Sequence, residues 1–409
     1  MECRHCAART TLSMADLGSA PPSNAYVDED GRARPEVWYP LRVLVCEQCW
    51  LAQTQDFTSA SDLFREDYAY FSSTSASWLS HANAYVEAMT ARFDLRSTSR
   101  VVEVGANDGY LLQYFHAKGI PCTGIEPTSG TARAARAKGL DMREVFFGAG
   151  AARALSAEGL IADLMVANNV LAHVPAINDF VAGFVTLLKP HGVVTFEFPH
   201  LCRLIEETQF DTIYHEHFSY LSLLAVRNVF ATHGLSVFDV DELPTHGGSL
   251  RVFAQRADKG NRPTSPAVQA MLAREREAGV ASRDFYQRFQ ARAVRVKNDF
   301  LSFLLAAKAR HARVAAYGAA AKGSTLLNYA GVRSDLLSYV VDRNPAKQGK
   351  YLPGSHIPIV TEQRLRATKP DYIVLLPWNL KPELTDQLSY ARTWGGRFVT
   401  AIPKLEITE

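Results

Sequence analysis

The sequence lacks long hydrophobic runs, a marked charge of one sign and an apolar leader. Its most apolar segments, around Val101 and Ile373, are only strand-length, which argues against a membrane-spanning helix. Lys and Arg number 44 and Asp and Glu number 42, a formal net charge of +2, so the overall charge indicates neither a nucleic acid nor an anionic membrane as partner. Residues 1–6, Met-Glu-Cys-Arg-His-Cys, have no signal-peptide core. We therefore expect a soluble, cytoplasmic protein with neither a nucleic-acid nor a membrane partner.

The composition is otherwise typical of a globular protein. Of the 409 residues, 47% are hydrophobic and 21% are charged, which excludes extensive disorder. A chain of this length is too long for one ordinary hydrophobic core, so two or three domains are expected.

Four of the six cysteines form two CxxC pairs. Cys3 and Cys6 make the first pair, and Cys46 and Cys49 follow after a long intervening segment. In a cytoplasmic chain such pairs favour tetrahedral zinc over disulfides, because each CxxC turn can direct two thiolates at one ion. An all-cysteine site is closed, so the predicted zinc is structural. Two redox-active pairs and unligated buried thiols are the alternatives.

Short apolar runs alternate with helix-length segments from about residue 100 onward, which predicts a mostly parallel sheet with right-handed crossovers. Seven strands are predicted in the middle of the chain: Arg100–Val104, Cys122–Ile125, Met142–Phe147, Leu164–Ala167, Gly192–Phe198, Leu235–Val240 and Leu250–Ala254. Four more are predicted towards the C-terminus: Arg313–Tyr317, Ser338–Val341, Tyr372–Leu375 and Phe398–Ile402. A loop separates the last two strands of the first set, which predicts an antiparallel hairpin at the sheet edge. Residues 265–310 are predicted to be helical.

A glycine-containing turn follows the first of these strands. Residues 103–109, Glu-Val-Gly-Ala-Asn-Asp-Gly, lead from the strand into a predicted helix, and glycine there lets the backbone approach a ligand closely. Glu126 ends the next strand, where its carboxylate could accept both hydroxyls of a ribose. The third glycine of a dinucleotide fingerprint is absent, so the pattern favours S-adenosylmethionine (SAM) over NAD. A solvated loop acid is the alternative for Glu126.

Polar side chains also follow the fourth strand. Asn168 and His173 should face the same cleft, because ligands gather at the carboxyl ends of the strands in an open parallel sheet. His173 could equally cap a helix or lie in the core. The candidate cofactor-binding residues are Glu103, Gly105, Asn107, Gly109, Glu126 and Asn168.

The densest group of titratable residues follows the fifth strand, where Tyr214, His215, Glu216 and His217 are consecutive. Imidazole titrates near neutrality and a carboxylate can orient it, so this group suits proton transfer. The HxH pair could bind a metal, but no third His or Cys lies close by in sequence, and the HExxH motif is absent. A buried, fully hydrogen-bonded polar cluster is the structural alternative.

Together these motifs resemble the SAM-dependent sugar C-methyltransferases that act on dTDP-4-keto-deoxysugars and serve the biosynthesis of branched antibiotic sugars. The resemblance covers essentially the whole chain and rests on the four paired cysteines and on residues 68–73, 103–109, 169–173, 214–218, 246–251, 318–323, 342–345, 348–349 and 352–354. It implies an α/β protein with a small N-terminal zinc-binding domain, a Rossmann-like class I methyltransferase domain and a C-terminal Rossmann-like α/β domain. The predicted domains are a zinc-binding domain at residues 1–74, a SAM-binding methyltransferase domain at 75–258 and a nucleotide-sugar-binding domain at 313–409. A helical connection is predicted at residues 259–312.

The resemblance also implies the reaction. A ketone makes the neighbouring C–H acidic, so a base can remove that proton and the enolate can take the methyl group of SAM. His217 is the candidate base, and Glu216 would hold the tautomer of His217 or contact a sugar hydroxyl. Tyr214, Tyr68 and His173 would orient the sugar and stabilise the enolate oxygen.

The C-terminal domain is expected to bind the nucleotide end of the sugar. The strand-to-helix turn at residues 318–323 suits the pyrophosphate, and further residues would contact the nucleotide. The candidate substrate-binding residues are Gly318, Lys322, Gly323, Asn328, Asp342 and Lys347.

The favoured hypothesis is methylation at carbon 3, with carbon 5 of a dTDP-4-keto-6-deoxysugar as the alternative. A non-catalytic, zinc-anchored nucleotide-binding protein is the rival class, and the titratable cluster argues against it. An NAD-dependent dehydratase or epimerase would normally carry a fuller glycine fingerprint and a Tyr-xxx-Lys pair. A monomer is expected.

Overall fold

The described residues, 1–57 and 71–408, form three β-sheets in the computed structural model of the chain. The strands are β1 Leu12–Ala20, β2 Tyr39–Val45, β3 Ala52–Thr54, β4 Val101–Val104, β5 Cys122–Ile125, β6 Asp141–Arg143, β7 Ala162–Asn168, β8 Leu188–Pro199, β9 Ser219–Tyr220, β10 Leu235–Leu243, β11 Ser249–Arg256, β12 Val314–Tyr317, β13 Val340–Val341, β14 Ile359–Val360, β15 Tyr372–Leu375, β16 Arg397–Thr400 and β17 Glu406–Thr408. The helices are α1 Ala76–Phe93, α2 Leu112–Ala117, α3 Ser129–Ala137, α4 Ala149–Ala157, α5 Ile177–Leu187, α6 Leu201–Glu206, α7 Leu223–Thr232, α8 Pro266–Ala278, α9 Arg283–Gln287, α10 Phe289–Ala309, α11 Ala321–Tyr329, α12 Glu362–Thr368 and α13 Lys381–Gln387.

The N-terminal sheet is antiparallel and has the order β1-β2-β3-β9. Leu41, Val43 and Val45 of β2 are buried, as the two-residue period of a strand requires when one face covers a core. Strand β9 comes from the middle of the chain and pairs with β3 through Tyr220 and Ala52. Residues that follow the predicted proton-transfer cluster therefore complete the N-terminal sheet.

The middle sheet has the order β10-β11-β8-β7-β4-β5-β6. Strands β4 to β8 are parallel, and β10 and β11 form the predicted antiparallel hairpin at one edge. The third predicted strand is shorter than expected, since β6 ends at Arg143 and has only β5 to pair with. The chain proceeds from β4 to β5 and β6 on one side and to β7 and β8 on the other. This reversal creates a topological switch point between β4 and β7, where ligands bind in open α/β sheets.

The C-terminal sheet has the order β14-β13-β12-β15-β16-β17, with only the edge strand β17 antiparallel among the described strands. Its central strand β12 is flanked by β13 and β15, which makes a second switch point at the turn that begins with Gly318. The predicted α/β fold class is confirmed. The predicted domain borders stay predictions.

The predicted helical region contains α8, α9 and α10. Pro266 opens α8, and Gly279, with φ of +90°, ends it. Helix α10 buries Phe289, Phe300 and Phe303 in one core cluster that includes residues of both the N-terminal and the C-terminal sheets. The helix therefore joins these two sheets. Among the described helices, none is both long and apolar enough to span a bilayer.

Candidate active site and zinc site

The four predicted zinc ligands come together. Their sulfur atoms all lie within 4.8 Å of one another, with Cys3 and Cys49 at 3.5 Å and Cys6 and Cys46 at 3.4 Å. Four thiolates bound at about 2.3 Å to one tetrahedral zinc ion would lie about 3.8 Å apart, so the set fits that ion. The Cys49 thiol donates to Cys3, which lowers the pKa of Cys3 and raises the pKa of Cys49. The cluster would hold a structural zinc ion.

The segment around the zinc site packs against the rest of the molecule. His5, between the first two ligands, lies 2.9 Å from Asn178 of α5. Strand β3 follows the second pair of ligands, and the Thr54 hydroxyl at its end donates to the carbonyl oxygen of His217 at 3.1 Å. One short strand therefore connects the zinc site with the backbone of the candidate base.

The glycine loop after β4 lies at the switch point of the middle sheet. Gly105 and Gly109 have φ of +71° and +75°, a backbone conformation that glycine adopts without strain. A Cβ on Gly105 would overlap the side chain of Val170, and the Gly105 N–H donates to the Ile125 carbonyl at 2.8 Å. The loop therefore needs glycine for its conformation and for close packing.

Glu126 ends β5 beside this loop. Its carboxylate accepts the backbone N–H groups of Asn107 at 2.9 Å and Thr128 at 3.0 Å, and burial raises its pKa. The side chain is only 6% exposed, so the alternative of a solvated loop acid is wrong. Each carboxylate oxygen has a second acceptor position, so the same group can also accept ribose hydroxyls.

Buried amide groups lie beside the loop on the neighbouring strand. The Oδ1 atom of Asn168, at the end of β7, and both amide atoms of Asn169 have no hydrogen-bond partner among the described residues. Buried polar atoms of this kind are costly unless a ligand or water pairs with them. With Gly105 and Glu126 they supply the acceptors, donors and close backbone approach that SAM requires. The residues present fit SAM.

Glu103 has a different environment from the other predicted cofactor-binding residues. It lies within β4 with 0% exposure, and burial raises its pKa well above the usual range. The carboxylates of Glu126 and Asp108 raise that pKa further. Burial in β4 therefore disfavours the charged form of Glu103, and its predicted cofactor contact stays a prediction.

His217 lies in the turn after the 3-10 helix Phe210–Thr212. Its Nδ1 is 2.8 Å from the Thr212 carbonyl oxygen, so Nδ1 carries the proton and donates. Nε2 is therefore an acceptor, and the Tyr214 hydroxyl donates to it at 2.7 Å. Burial lowers the pKa of His217 well below its usual value, and nearby positive charge lowers it further. A neutral imidazole of this kind can take a proton at Nε2.

Two further histidines lie beside His217. The ring of His173 is 4.7 Å from that of His217 in an edge-to-face arrangement, and its Nδ1 donates to the Glu216 carbonyl at 2.9 Å. His246 lies between β10 and β11 with φ of +55°, and its ring is 5.1 Å from that of Trp78. Burial lowers the pKa of His173 and of His246 to about 4. Both imidazoles are therefore neutral and can form hydrogen bonds without repelling a cationic neighbour.

The remaining residues of the proton-transfer cluster have other hydrogen-bond partners. The Glu216 carboxylate, 2% exposed, accepts a hydrogen bond from Asn24 at 2.7 Å. The Thr212 carbonyl, rather than Glu216, holds the tautomer of His217. His215 turns its Nε2 towards backbone carbonyls at the start of β2. Neither histidine of the HxH pair belongs to a metal-ligand group within the described part of the chain.

Four predicted substrate-binding residues surround the turn from β12 into α11. Gly318 has φ of +87°, and Gly323 lies in the first turn of the helix. Asp342, just after β13, accepts the Ala319 N–H at 2.8 Å, and Lys347 donates to the Ala319 carbonyl at 2.9 Å. The structure thus brings an acid, a lysine and two glycines to one switch point.

Asn328 and Lys322 lie at opposite ends of α11. Asn328 donates to the Pro353 carbonyl at 3.0 Å, away from the glycine turn. The Lys322 ammonium donates to Asn379 Oδ1 at 2.9 Å and lies 4.7 Å from the centre of the Trp378 ring. Lys322 therefore contacts the residues that follow β15, whereas Asn328 does not.

Five residues without a predicted role also lie at the site: Asn24, Asp211, His246, Trp378 and Asn379. Trp378 Nε1 donates to the fully buried Asp211 at 2.7 Å, which joins the C-terminal sheet to the cluster. Both Trp378 and Asn379 follow β15, so the rule that ligands gather at strand ends would have found them. Nothing in the spacing indicates Asn24. Tyr68, the other predicted catalytic residue, lies outside the described residues.

The fold and the site define the class of protein. A glycine loop and a buried acid at a sheet switch point characterise a SAM-dependent methyltransferase. The four thiols add a structural zinc site.

Comparison with known proteins gives the family. The chain matches three family models in succession, described as "Putative zinc binding domain" over residues 3–64, "Methyltransferase domain" over 78–240 and "C-methyltransferase C-terminal domain" over 244–403. The C-methyltransferase NovU of Streptomyces niveus is 35% identical over 403 residues, 98% of this chain and 96% of NovU. The chain belongs to this family of SAM-dependent C-methyltransferases.

Solved structures are similar over less than half of the chain. The PH0226 protein of Pyrococcus horikoshii OT3 has a TM-score of 0.38 at 14% identity, covering 46% of this chain and 95% of that chain. The SAM-bound magnesium protoporphyrin IX methyltransferase (ChlM) of Synechocystis PCC 6803 has a TM-score of 0.34 at 14% identity, covering 44% of this chain and 79% of that chain.

Proposed function

We propose that this C-methyltransferase methylates a dTDP-4-keto-deoxysugar at a carbon beside the ketone, with carbon 3 as the favoured position. The product would be a branched deoxysugar of the kind used in antibiotics. The family resemblance of the motifs and the C-methyltransferase relative support the carbon acceptor. The second glycine turn, at Gly318, supports a nucleotide-linked substrate.

The observation that carries the proposal is the tautomer of His217. Its Nδ1 proton is fixed on a backbone carbonyl, so the lone pair of Nε2 faces the Tyr214 hydroxyl. Carbon, unlike a hydroxyl or an amine, becomes nucleophilic only after a proton has been removed. A neutral, preorganised base beside the SAM residues meets that need.

Different residues of this chain would have different roles in forming the enolate. His217 Nε2 takes the proton, after the Tyr214 hydroxyl has turned from Nε2 to the ketone oxygen. His173 and Glu216 contact the sugar, and Asp342 and Lys347 hold the nucleotide beside the Gly318 turn. When bound, SAM supplies the electrophilic methyl group. The zinc site has no part in this chemistry.

A panel of dTDP-4-keto sugars tests the proposal. Each sugar is incubated with SAM and scored by mass for one added methyl group, and the methylated carbon is located by NMR. A methyl group on carbon 3 supports the favoured position, and one on carbon 5 corrects it. Without SAM, the enzyme should still exchange the hydrogen beside the ketone with deuterated water. Neither exchange nor methylation with any of these sugars would refute the proposed substrate class.

Replacing Glu126 with alanine should weaken SAM binding by roughly 2–4 kcal/mol, because two hydrogen bonds from the ribose to a carboxylate are lost. Calorimetric titration with SAM measures the change. The exposed Glu158, replaced in the same way, is the matched control and should leave the affinity unchanged. An unaltered SAM affinity in Glu126→Ala would show that the ribose binds elsewhere.

A further inference from the structure

Lys322 was predicted to bind the pyrophosphate, but its side chain lies over Trp378, whose ring packs against Gly247 beside His246. Its ammonium group is held between two residues that follow β15. It donates to Asn379 at 2.9 Å and lies 4.7 Å from the centre of the Trp378 ring, where the electron-rich face attracts a cation. Trp378 itself is held by its 2.7 Å hydrogen bond to Asp211. The position of the lysine charge is therefore defined by three neighbouring side chains.

The electrostatics of the site show what this charge acts on. Burial is the main cause of the lowered pKa of His217 and of His246, and the Lys322 ammonium lowers both further. Burial raises the pKa of Asp211 to about 6, while Lys322 opposes that rise. Burial also lowers the pKa of Lys322 itself, and the Asp211 charge partly restores it. The lysine charge is thus within electrostatic reach of the base.

A different lysine is better placed for the pyrophosphate. Lys347 donates to the Ala319 carbonyl within the glycine turn and lies 3.8 Å from Asp342. The Lys322 ammonium has three N–H donors, and Asn379 is its only hydrogen-bond acceptor among residues 1–57 and 71–408. At least one N–H of Lys322 is therefore left to donate to a ligand.

We propose that Lys322 is a catalytic residue that donates a hydrogen bond to the ketone oxygen and stabilises the enolate while His217 removes the neighbouring proton. The proposal rests on the proposed function. In this step the C–H bond breaks and an N–H bond forms at His217 Nε2. The C–H electron pair becomes the π bond of a new C=C bond, and the carbonyl π electrons move to the ketone oxygen. The Lys322 ammonium stabilises the negative charge on that oxygen. No oxidant or reductant is consumed.

The position of the Lys322 ammonium suits the change of charge during enolate formation. The base must be neutral before the step and becomes cationic during it, while the oxygen becomes anionic. A fixed ammonium beside the oxygen favours the enolate and disfavours early protonation of His217. Because Trp378 and Asn379 already hold the ammonium, little reorganisation is needed when the charge develops.

The test separates the chemical step from nucleotide binding. Lys322→Met removes the charge and retains the length of the side chain. Deuterium exchange into a saturating dTDP-4-keto sugar, without SAM, should fall by about 10²–10³, the usual effect of losing one oxyanion donor. Calorimetric affinity for dTDP alone should stay unchanged. Lys347→Met should instead weaken dTDP binding. Lys308→Met, at an exposed lysine paired with Asp335, controls for loss of a lysine and should change neither measurement.

Two further variants guard against misfolding. Asp211→Asn combined with Lys322→Met removes both buried charges and keeps an acceptor for Trp378, so the fold should survive while exchange stays slow. Lys322→Arg retains the positive charge and should recover part of the rate. The acid limb of the pH profile should also move to higher pH in Lys322→Met, because the pKa of His217 rises when the ammonium is removed.

The outcomes are distinguishable. Normal exchange in a folded Lys322→Met protein, or a loss of dTDP affinity with an unchanged exchange rate at saturation, would overturn the role of Lys322 alone. If the unaltered enzyme exchanges no hydrogen and transfers no methyl group with any dTDP-4-keto sugar, the proposed function fails instead.

Discussion

Replacing His217 with asparagine should slow hydrogen exchange at the carbon beside the ketone by a factor of about 10²–10⁴, the usual contribution of a positioned base. Asparagine is polar and of similar bulk, but its amide cannot take the proton. The affinities for SAM and dTDP should persist, because the imidazole serves proton transfer more than binding. Deuterium incorporation into a dTDP-4-keto sugar without SAM, measured beside methyl transfer with SAM, checks this expectation.

His311→Asn is the matched control for that variant. His311 is exposed, lies beyond the end of α10 and has φ of +56°, a conformation that asparagine tolerates. Its replacement should leave the exchange rate unchanged. If His217→Asn exchanges the proton at the parental rate, another group is the base, and Tyr214 and His173 are the next candidates.

The same base predicts an unusual pH profile. Burial, the His173 and His246 rings and the Lys322 charge hold the pKa of His217 well below its usual value of 6.5. Below that lowered pKa the imidazole is protonated and cannot act as a base. Exchange activity should therefore persist as the pH falls past 6.5 and be lost only at lower pH. An acid limb centred at or above 6.5 would contradict the neutral, buried base.

Removing zinc should destabilise the N-terminal fold and thereby lower the catalytic activity. Structural zinc contributes roughly 10–16 kcal/mol in zinc-finger peptides, as much as the whole stability of many domains. The sheet that begins at the zinc site reaches the candidate base, since β3 pairs with β9 and the Thr54 hydroxyl holds the His217 carbonyl. In Cys46→Ser, elemental analysis should find little zinc, thermal unfolding should begin at lower temperature, and exchange activity should fall.

Cys122→Ser is the control for the loss of a thiol. Cys122 lies in β5, and its sulfur is not part of the four-cysteine cluster. This variant should retain one zinc ion per chain and its activity. Freshly purified parental protein without zinc, or a Cys46→Ser protein with unchanged unfolding, would contradict the structural role of the metal.

The features that could be predicted from the sequence are those that depend on residues close together in the chain. A CxxC turn places two thiolates by itself, so the zinc ligands follow from spacing. The alternation of strands and helices and the glycine turns after β4 and β12 likewise depend on a few consecutive residues. Glu126 could be placed because the end of one parallel strand must lie beside the end of the next.

Other elements escaped prediction because their partners are distant in sequence. Strands β3 and β9 are three and two residues long, and neither forms without the other. Their pairing crosses from the zinc segment to the residues after His217. The hydrogen bond from Asn24 to Glu216 crosses a similar separation. Such contacts depend on how preformed sheets pack together.

The sequence by itself therefore determined the zinc ligands, the α/β class and the two glycine turns, and it predicted the proton-transfer cluster. Only the tertiary structure decided which atoms of that cluster are available. In the tertiary structure the Thr212 carbonyl fixes the tautomer of His217, and the His215 side chain points to the backbone of β2. The tertiary structure also directed Lys322 to Asn379. The physical reason is that local geometry is encoded in neighbouring residues, whereas side-chain direction, burial and charge depend on the packing of all three sheets.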